Sequence, residues 1–359
     1  EEPKKVYFQM TAILFRPERI FRLFLILALI VFSTCACSKT NDKNRRYITR
    51  KVPLMGTFFN IKVAAKGKKN IQKAEYAVIE AVKRACMLSD SLDFYGVESD
   101  LNTLNRERSS EGPVHLADVI KQSLAMEERT GGKFDITIAP LLKEKGFYDN
   151  LDESLFDMIP DNYYFDQKDK ITVKGSLNII LSENVHLDLS GIAKGYIVDK
   201  TATYLRKKGI NNFLVDAGGD IYSSGTNYGK EWEIGVRDPA GEKVIMVLKL
   251  TDKAVCTSGD YENFIDEGNG IISHIAVPSE GDMLKKISAG VTVIAETAAK
   301  ADSSATALMS VINEDKKDIL AFAEQIGNID VVVIRPGEVI ISSGVKEYAV
   351  ESRKLKADS

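Results

Sequence analysis

The stretch Leu187-Asp-Leu-Ser-Gly-Ile-Ala-Lys-Gly195, with residues 196–208 behind it, decides how this chain is read. Apolar residues alternate up to Leu189, a Ser-Gly turn follows, and a helical pattern starts near Lys194. At a strand–turn–helix junction the first helical N–H groups have no partner in the helix and favour a bound anion. Glycine lets the backbone approach a ligand closely. Asp188, Ser190 and Lys194 add a carboxylate, a hydroxyl and a cation to one short segment. The pattern suits a phosphate-bearing ligand, and equally an ordinary strand–turn–helix with a solvated lysine.

Working outward, residues 54–64 alternate as a strand. Residues 70–92 carry Ile71, Ala74, Val78, Val82, Ala85 and Leu88 on one helical face. A short helix opens at Ser99-Asp100, and another covers 115–130, entered from Pro113 and closed by Gly131-Gly132. Residues 133–150 read as a loop and 151–186 as an excursion ending in short strands. Strands follow at 212–216, 231–237, 243–250, 290–295, 329–334 and 338–342, with helices at 298–311 and 315–326. Asp216-Ala-Gly-Gly-Asp220 reads as a tight loop between strands. Strands and helices intersperse without a βαβ repeat, so an α+β fold is expected. Neither G-x-G-x-x-G nor G-x-x-x-x-G-K-[ST] occurs, which disfavours Rossmann and Walker-type nucleotide sites.

The 359 residues are 44% hydrophobic and 28% charged, with net charge −3, a globular composition with no electrostatic case for nucleic acid. Three histidines argue against a histidine-rich metal site. Arg16, Arg19 and Arg22 precede an apolar run, residues 23–32, and then Ser33-Thr-Cys-Ala-Cys-Ser38. A basic region, a short apolar region and a small-residue cleavage site describe an export signal, too short for a comfortable membrane span. A cysteine at that site points to an exported lipoprotein, anchored at the bacterial cell membrane on its periplasmic or extracytoplasmic face. Ala36 favours Cys37 over Cys35 as the acylated residue, and an uncut signal anchor is the alternative. Residues 1–37 are therefore expected to be a signal peptide, 38–50 a polar tether, 51–350 the body and 351–359 a tail. Cys86 and Cys256, alone in the body, are expected as free thiols.

Asp302 and Thr306 stand one turn apart on a predicted helix. A carboxylate and a hydroxyl so spaced suit Mg²⁺, or are simply a polar helix face. Tyr95, Phe134 and Tyr261 adjoin glycine turns, where aromatics stack flat rings or plug a core. Lys133 and Asp135 flank Phe134. His274 reads as a general base, a ligand partner or a structural histidine.

Several segments, in order over residues 53–345, resemble the ApbE-type FAD:protein FMN transferase family. They are Met55-Gly-Thr57; Asp93-Phe-Tyr95 with Ser99-Asp-Leu101; Thr130-Gly-Gly-Lys-Phe-Asp135 with Pro140; Asp188-Leu-Ser-Gly-Ile-Ala-Lys-Gly-Tyr196 with Gly218-Gly-Asp220; Thr257-Ser-Gly-Asp-Tyr261; Ser273-His274; and Ala301-Asp302 with Thr306. The resemblance implies a T-fold-related, two-lobed α+β body with mixed or antiparallel sheets, flanking helices and FAD in the cleft. It implies FAD contacts at Met55, Tyr95, Lys133, Phe134, Asp135, Asp188, Lys194 and the Ala276 backbone. Mg²⁺ would be held by Asp302, Thr306 and a main-chain carbonyl of the turn at Gly191. The implied reaction moves FMN from FAD to a threonine or serine hydroxyl of an exported redox protein and releases AMP. Phosphoryl transfer of this kind needs alignment and charge neutralisation more than covalent help. His274 would activate the hydroxyl, unless a carboxylate does so. The family usually reads His-Ile-Ile-Asp-Pro-x-Thr-Gly where this chain has His274-Ile-Ala-Val-Pro-Ser-Glu-Gly281, and Ala305 stands where some members carry a second aspartate. Two other readings stand beside it: a metal-dependent FAD pyrophosphatase, in which water replaces the protein hydroxyl, and a lipoprotein that binds FAD without turnover, which valine at 277 keeps open.

Overall fold

The computed structural model describes residues 6–8, 44–165, 170–175, 177–241, 243–261, 263–268 and 270–350. The chain runs β1 (Val6–Phe8), β2 (Arg45–Leu54), β3 (Thr57–Lys66), α1 (Lys68–Leu92), α2 (Asp100–Glu107), β4 (Ser109–Glu111), α3 (Val114–Thr130), α4 (Ala139–Glu144), α5 (Glu153–Phe156), β5 (Ile171–Lys174) and β6 (Asn178–Leu181). It continues with α6 (Ala193–Lys207), β7 (Phe213–Ala217), β8 (Asp220–Ser224), β9 (Trp232–Arg237), β10 (Val244–Leu250), β11 (Lys253–Gly259), β12 (Asn263–Asp266), β13 (Ile271–Val277), β14 (Asp282–Lys285), β15 (Gly290–Ala295), α7 (Ala298–Met309), α8 (Lys316–Ile326), β16 (Asp330–Arg335) and β17 (Glu338–Ile341).

An eight-stranded sheet in the order β17-β16-β15-β11-β8-β7-β3-β2 organises the fold, and its neighbours are all antiparallel. β15 (GVTVIA) is buried at every position because both sheet faces are covered there. Helices α1, α6 and α7 pack on one face. α1 buries Ala74, Ala77, Val78, Ala81 and Ala85, so small side chains bring it close to β2 and β3. The other face meets the β9–β10 hairpin, where Ile234, Val236, Leu248 and Leu250 pack on Val255, Ile294 and Val332. Burying each such side chain contributes about 1.5–3 kcal/mol. Smaller sheets, β1-β12-β13-β14 and β4-β6-β5, lie beside the main one.

Three expectations change. Residues 45–50, read as part of the tether, are the first half of β2, paired with β3 from Arg45↔Lys66 to Leu54↔Thr57. The segment reads as polar because an edge strand needs only one apolar face. The two-residue turn between them, Met55-Gly56, has φ +52° and +69°, the left-handed pair that a tight hairpin requires. Helix α4 interrupts the loop read at 133–150. Residues 185–189 form no strand and join no sheet, and the turn starts at Ser190. The side chain of Asn105 takes the place of a neighbouring strand: it accepts from Leu187 N at 2.8 Å and donates to Leu187 O at 3.0 Å.

The apolar run at 23–32, Cys35, Cys37 and the tail 351–359 lie outside the described residues. Among the described residues, no helix is long and apolar enough to cross a membrane. Cys86 and Cys256 are unbridged.

Candidate active site

The 187–195 segment is held rigidly before it turns. Asp188 N donates to Ile136 O at 2.8 Å, and Asp188 Oδ1 accepts from Ser190 N at 2.8 Å. Its Oδ2 accepts from the Tyr148 hydroxyl at 2.6 Å. Burial first, and then the Asp188 charge, hold the Tyr148 phenol well above its ordinary range, so it remains a donor. Tyr148 stacks on Phe94 at 4.8 Å, and Phe94 meets the ring of Tyr95 edge-on at 5.6 Å. Tyr95 is 59% exposed, a flat face at the surface of this aromatic cluster.

Beyond the turn, α6 and α7 cross in near contact. A Cβ on Gly195 would lie 2.3 Å from the Ala298 carbonyl oxygen, so only glycine fits the crossing. Gly195 N donates to Asp302 Oδ2 at 2.9 Å. The carboxylate of Asp199 accepts from Ala298 N at 2.7 Å and Ala299 N at 2.9 Å, capping α7 from the neighbouring helix. One turn beyond Asp302, Thr306 faces Gly191: a Cβ there would touch Phe134 at 3.1 Å and Thr306 Oγ1 at 3.4 Å. Ser258 Oγ of β11 lies 3.4 Å from that same Thr306 hydroxyl.

The charges at this crossing do not balance. Asp302 and Asp220 are 3% and 1% exposed, and Lys194 pairs with Asp220 Oδ2. The other oxygen of Asp220 is buried with no hydrogen-bond partner. Burial, then the charge of Asp220, push Asp302 up to about 8 against the opposing pull of Lys194 and Gly195 N–H. Burial and the neighbouring carboxylate thus outweigh the compensation that Lys194 gives Asp302. Asp302, Thr306 and a turn carbonyl offer hard oxygen donors, and among the described residues no group of three His, Cys, Asp or Glu makes a complete cage. Mg²⁺ tolerates such an incomplete set because it keeps water or ligand phosphate in its remaining positions. The donors therefore fit that ion.

Phe134, Asp188, Gly191, Lys194, Asp302 and Thr306 are thus gathered around one turn and one helix crossing. Met55 lies in the β2–β3 turn, and the adjacent Thr57 packs against Gly218, whose Cβ would stand 2.3 Å from Thr57 Oγ1. Gly218-Gly219 leads straight to Asp220, so this hairpin turn borders the Lys194–Asp220 pair. Lys133 lies over the Phe322 ring at 5.9 Å. Asp135 is placed differently from a ligand contact through its side chain. Its carboxylate is buried and accepts from Thr137 N, Thr137 Oγ1, the Tyr163 hydroxyl and Lys170, which fills its acceptor capacity. His274 and Ala276 belong to β13, in a different sheet, with His274 Nδ1 3.1 Å from Asn263 O. Val277 and Ala305 are both buried. A cavity of about 310 Å³ bordered by Arg45, Asn70, Asn212 and Tyr228 contains none of the predicted site residues.

The ApbE family model matches residues 55–333. The chain belongs to the ApbE family. The FAD:protein FMN transferase of Vibrio cholerae is 32% identical over 318 residues, covering 84% of this chain and 90% of that protein. The protein of the same name from Haemophilus influenzae is 27% identical, covering 81% and 87%. Among solved structures, the ApbE protein of Thermotoga maritima superimposes with a TM-score of 0.72 at 27% identity, covering 85% of this chain and 100% of that one. The flavin transferase ApbE of Vibrio cholerae gives 0.69 at 26% identity, covering 85% and 99%. The α+β expectation therefore holds at the level of the family fold.

The sequence motifs contain Asp199, Asp220 and Asn105 without assigning them a role at this ApbE site, and Tyr148 falls outside the motifs. For Asp220 a signal existed: a carboxylate directly after two glycines in a tight turn has its direction set by the backbone. Asn105 and Tyr148 carry no local signal, because their partners lie 82 and 40 residues away.

Proposed function

We propose that this ApbE protein transfers the FMN portion of FAD to a hydroxyl of an acceptor protein and releases AMP. The observation that carries the reading is the crossing of α6 and α7, which sets Asp302 and Thr306 against the turn at Gly191–Gly195. FAD:protein FMN transferase is the name of the relatives that match over most of the chain, and FAD is accordingly the substrate.

The turn residues and Lys194 receive the pyrophosphate, and Tyr95 and Phe134 border the flavin. The acceptor hydroxyl oxygen, from threonine or serine, attacks the FMN phosphorus. The bond from that phosphorus to the bridging oxygen breaks, and the electron pair leaves with AMP. His274, or a carboxylate of the site, takes the hydroxyl proton. When bound, Mg²⁺ supplies charge neutralisation at the pyrophosphate. Around it, Asp302 and Thr306 supply oxygen donors, Gly195 N–H orients the Asp302 carboxylate, and Ser258 borders the Thr306 hydroxyl. The basic, apolar and small-residue order of residues 16–38 supports export and acylation at Cys37 or Cys35, with an exported redox protein as acceptor.

Incubation with FAD, Mg²⁺ and a threonine-bearing acceptor tests the reaction. Covalent flavin on the acceptor together with AMP is expected. Free FMN and AMP without acceptor labelling shows hydrolysis instead, and bound FAD with neither product shows storage. Mass analysis of the mature N-terminus tests acylation, which Cys37→Ala should abolish if that residue is the lipidated one.

A further inference from the structure

We propose that Asp220 is the positioning residue that tunes this site between its two ligands, strengthening its hold on the cation while restraining Lys194. The inference rests on the reading that Asp302 and Thr306 hold a divalent cation.

Asp220 lies at the first position of β8, and its direction is set by the turn before it. Gly218 and Gly219 have φ of +69° and +106°, and Gly218 is packed too closely on Thr57 to carry a side chain. The turn is tied again by Gly219 N, which donates to Asp216 Oδ1 at 2.9 Å. Asp220 is thereby driven inward to 1% exposure, where one oxygen takes the Lys194 ammonium and the other has no hydrogen-bond partner. A buried carboxylate oxygen left unpaired is costly, and the fold retains it at a crossing where a cation is called for.

The neighbours place Asp220 beside Asp302. Lys194 bonds Asp220, and the next residue, Gly195, bonds Asp302 at 2.9 Å. Cys256 on the adjoining strand β11 reaches the Ala298 carbonyl of α7 at 3.4 Å, so the strand paired with β8 packs directly on the helix that carries Asp302. With both carboxylates charged, the cluster of Asp220, Asp302 and Lys194 carries one net negative charge. Removing the charge of Asp220 leaves Asp302 and Lys194 to cancel. Two consequences have opposite sign. A cation loses attraction, and the pyrophosphate meets a lysine no longer paired with Asp220. A residue that merely supported the fold would weaken both ligands together.

The experiment uses the full chain and reads equilibrium binding. Mg²⁺ is titrated while the thermal midpoint is followed, and FAD is titrated by flavin fluorescence with chelator present. In Asp220→Asn, which keeps the shape of the side chain, Mg²⁺ affinity is expected to fall at least tenfold. Metal-free FAD affinity is expected to stay level or rise several-fold. Lys194→Gln should do the reverse, tightening Mg²⁺ and weakening FAD, and it keeps the test open if the first variant folds poorly. A parallel loss of both affinities in Asp220→Asn overturns the inference, as does an unchanged Mg²⁺ response. If Mg²⁺ has no effect on the unmodified protein, the cation reading itself fails and the inference falls with it.

Discussion

The carbonyl oxygen of Ala298 occupies the space where a Cβ on Gly195 would stand, 2.3 Å from it. Gly195 therefore does more than loosen a turn: it sets how deeply α7 seats against α6. Gly195→Ala must push the helices apart, and overpacking against backbone costs roughly 1–3 kcal/mol or more. The same movement breaks the Gly195–Asp302 hydrogen bond. We expect a lower Tm and a loss of Mg²⁺-dependent turnover of at least tenfold, checked by calorimetry and AMP release. Gly191→Ala has only side chains to displace and should be milder in Tm. Equal Tm in both variants would contradict this account of the crossing.

Asp302 predicts a pH dependence of cation binding. Burial and the Asp220 charge push its carboxyl up to about 8, which favours the protonated form in the metal-free protein. A cation must displace that proton, so Mg²⁺ affinity should rise with pH, by up to tenfold per unit, and level off above about pH 8. The sign for folding is opposite. A carboxyl raised in the folded state is most favourable below its unfolded value and loses that contribution as pH rises through 8. Isothermal titration at pH 6, 7, 8 and 9 reads the first effect. Asp302→Asn should abolish Mg²⁺ binding while keeping an acceptor for Gly195 N–H.

His186 predicts the acid limb of the stability curve. Its ring is 1% exposed, with Nδ1 unpartnered, against the edge of Phe94. Burial first, then the Arg108 charge, lower it to about 3. An unfolded histidine takes up a proton near pH 6.5, whereas the folded one stays neutral, so stability falls as pH drops from 6.5 toward 3. The loss should reach about 2 kcal/mol by pH 5. Urea unfolding at pH 7.5 and pH 5 measures it, and His186→Phe should flatten the difference. An undiminished slope in that variant would assign the acid limb elsewhere.

Val277 predicts the cost of restoring the acid usual in the family. It is buried at the end of β13 and its cross-strand partner is Asp282, whose carboxylate lies 3.0 Å from Lys145. Val277→Asp places two carboxylates opposite each other and buries one of them. We expect Tm to fall by several degrees, more than for Val277→Thr. A Tm that holds or rises would mean Lys145 serves both acids.

Much of this was legible along the chain. The alanine and valine face of residues 70–92 announces α1, and the unbroken apolar run at 290–295 announces a central strand. Met55-Gly56 and Gly218-Gly219 sit where the backbone needs positive φ. Local pattern was misleading where the partner is distant or the surface is mixed. Arg45–Leu54 reads as polar because an edge strand shows one face to water. The Asp135 carboxylate is occupied by Lys170 and Tyr163, 35 and 28 residues on, partners that no local pattern shows.

The chain by itself determined most of the secondary elements and the family, because periodicity and backbone-restricted glycines act within a few residues. Only the tertiary structure decided that Asp199 caps α7 from another helix, that Lys194 pairs with Asp220, and that Asp302 is buried beside the charges of both. Those facts depend on desolvation and on charges brought together across about a hundred residues, and neither exists until the helices have crossed.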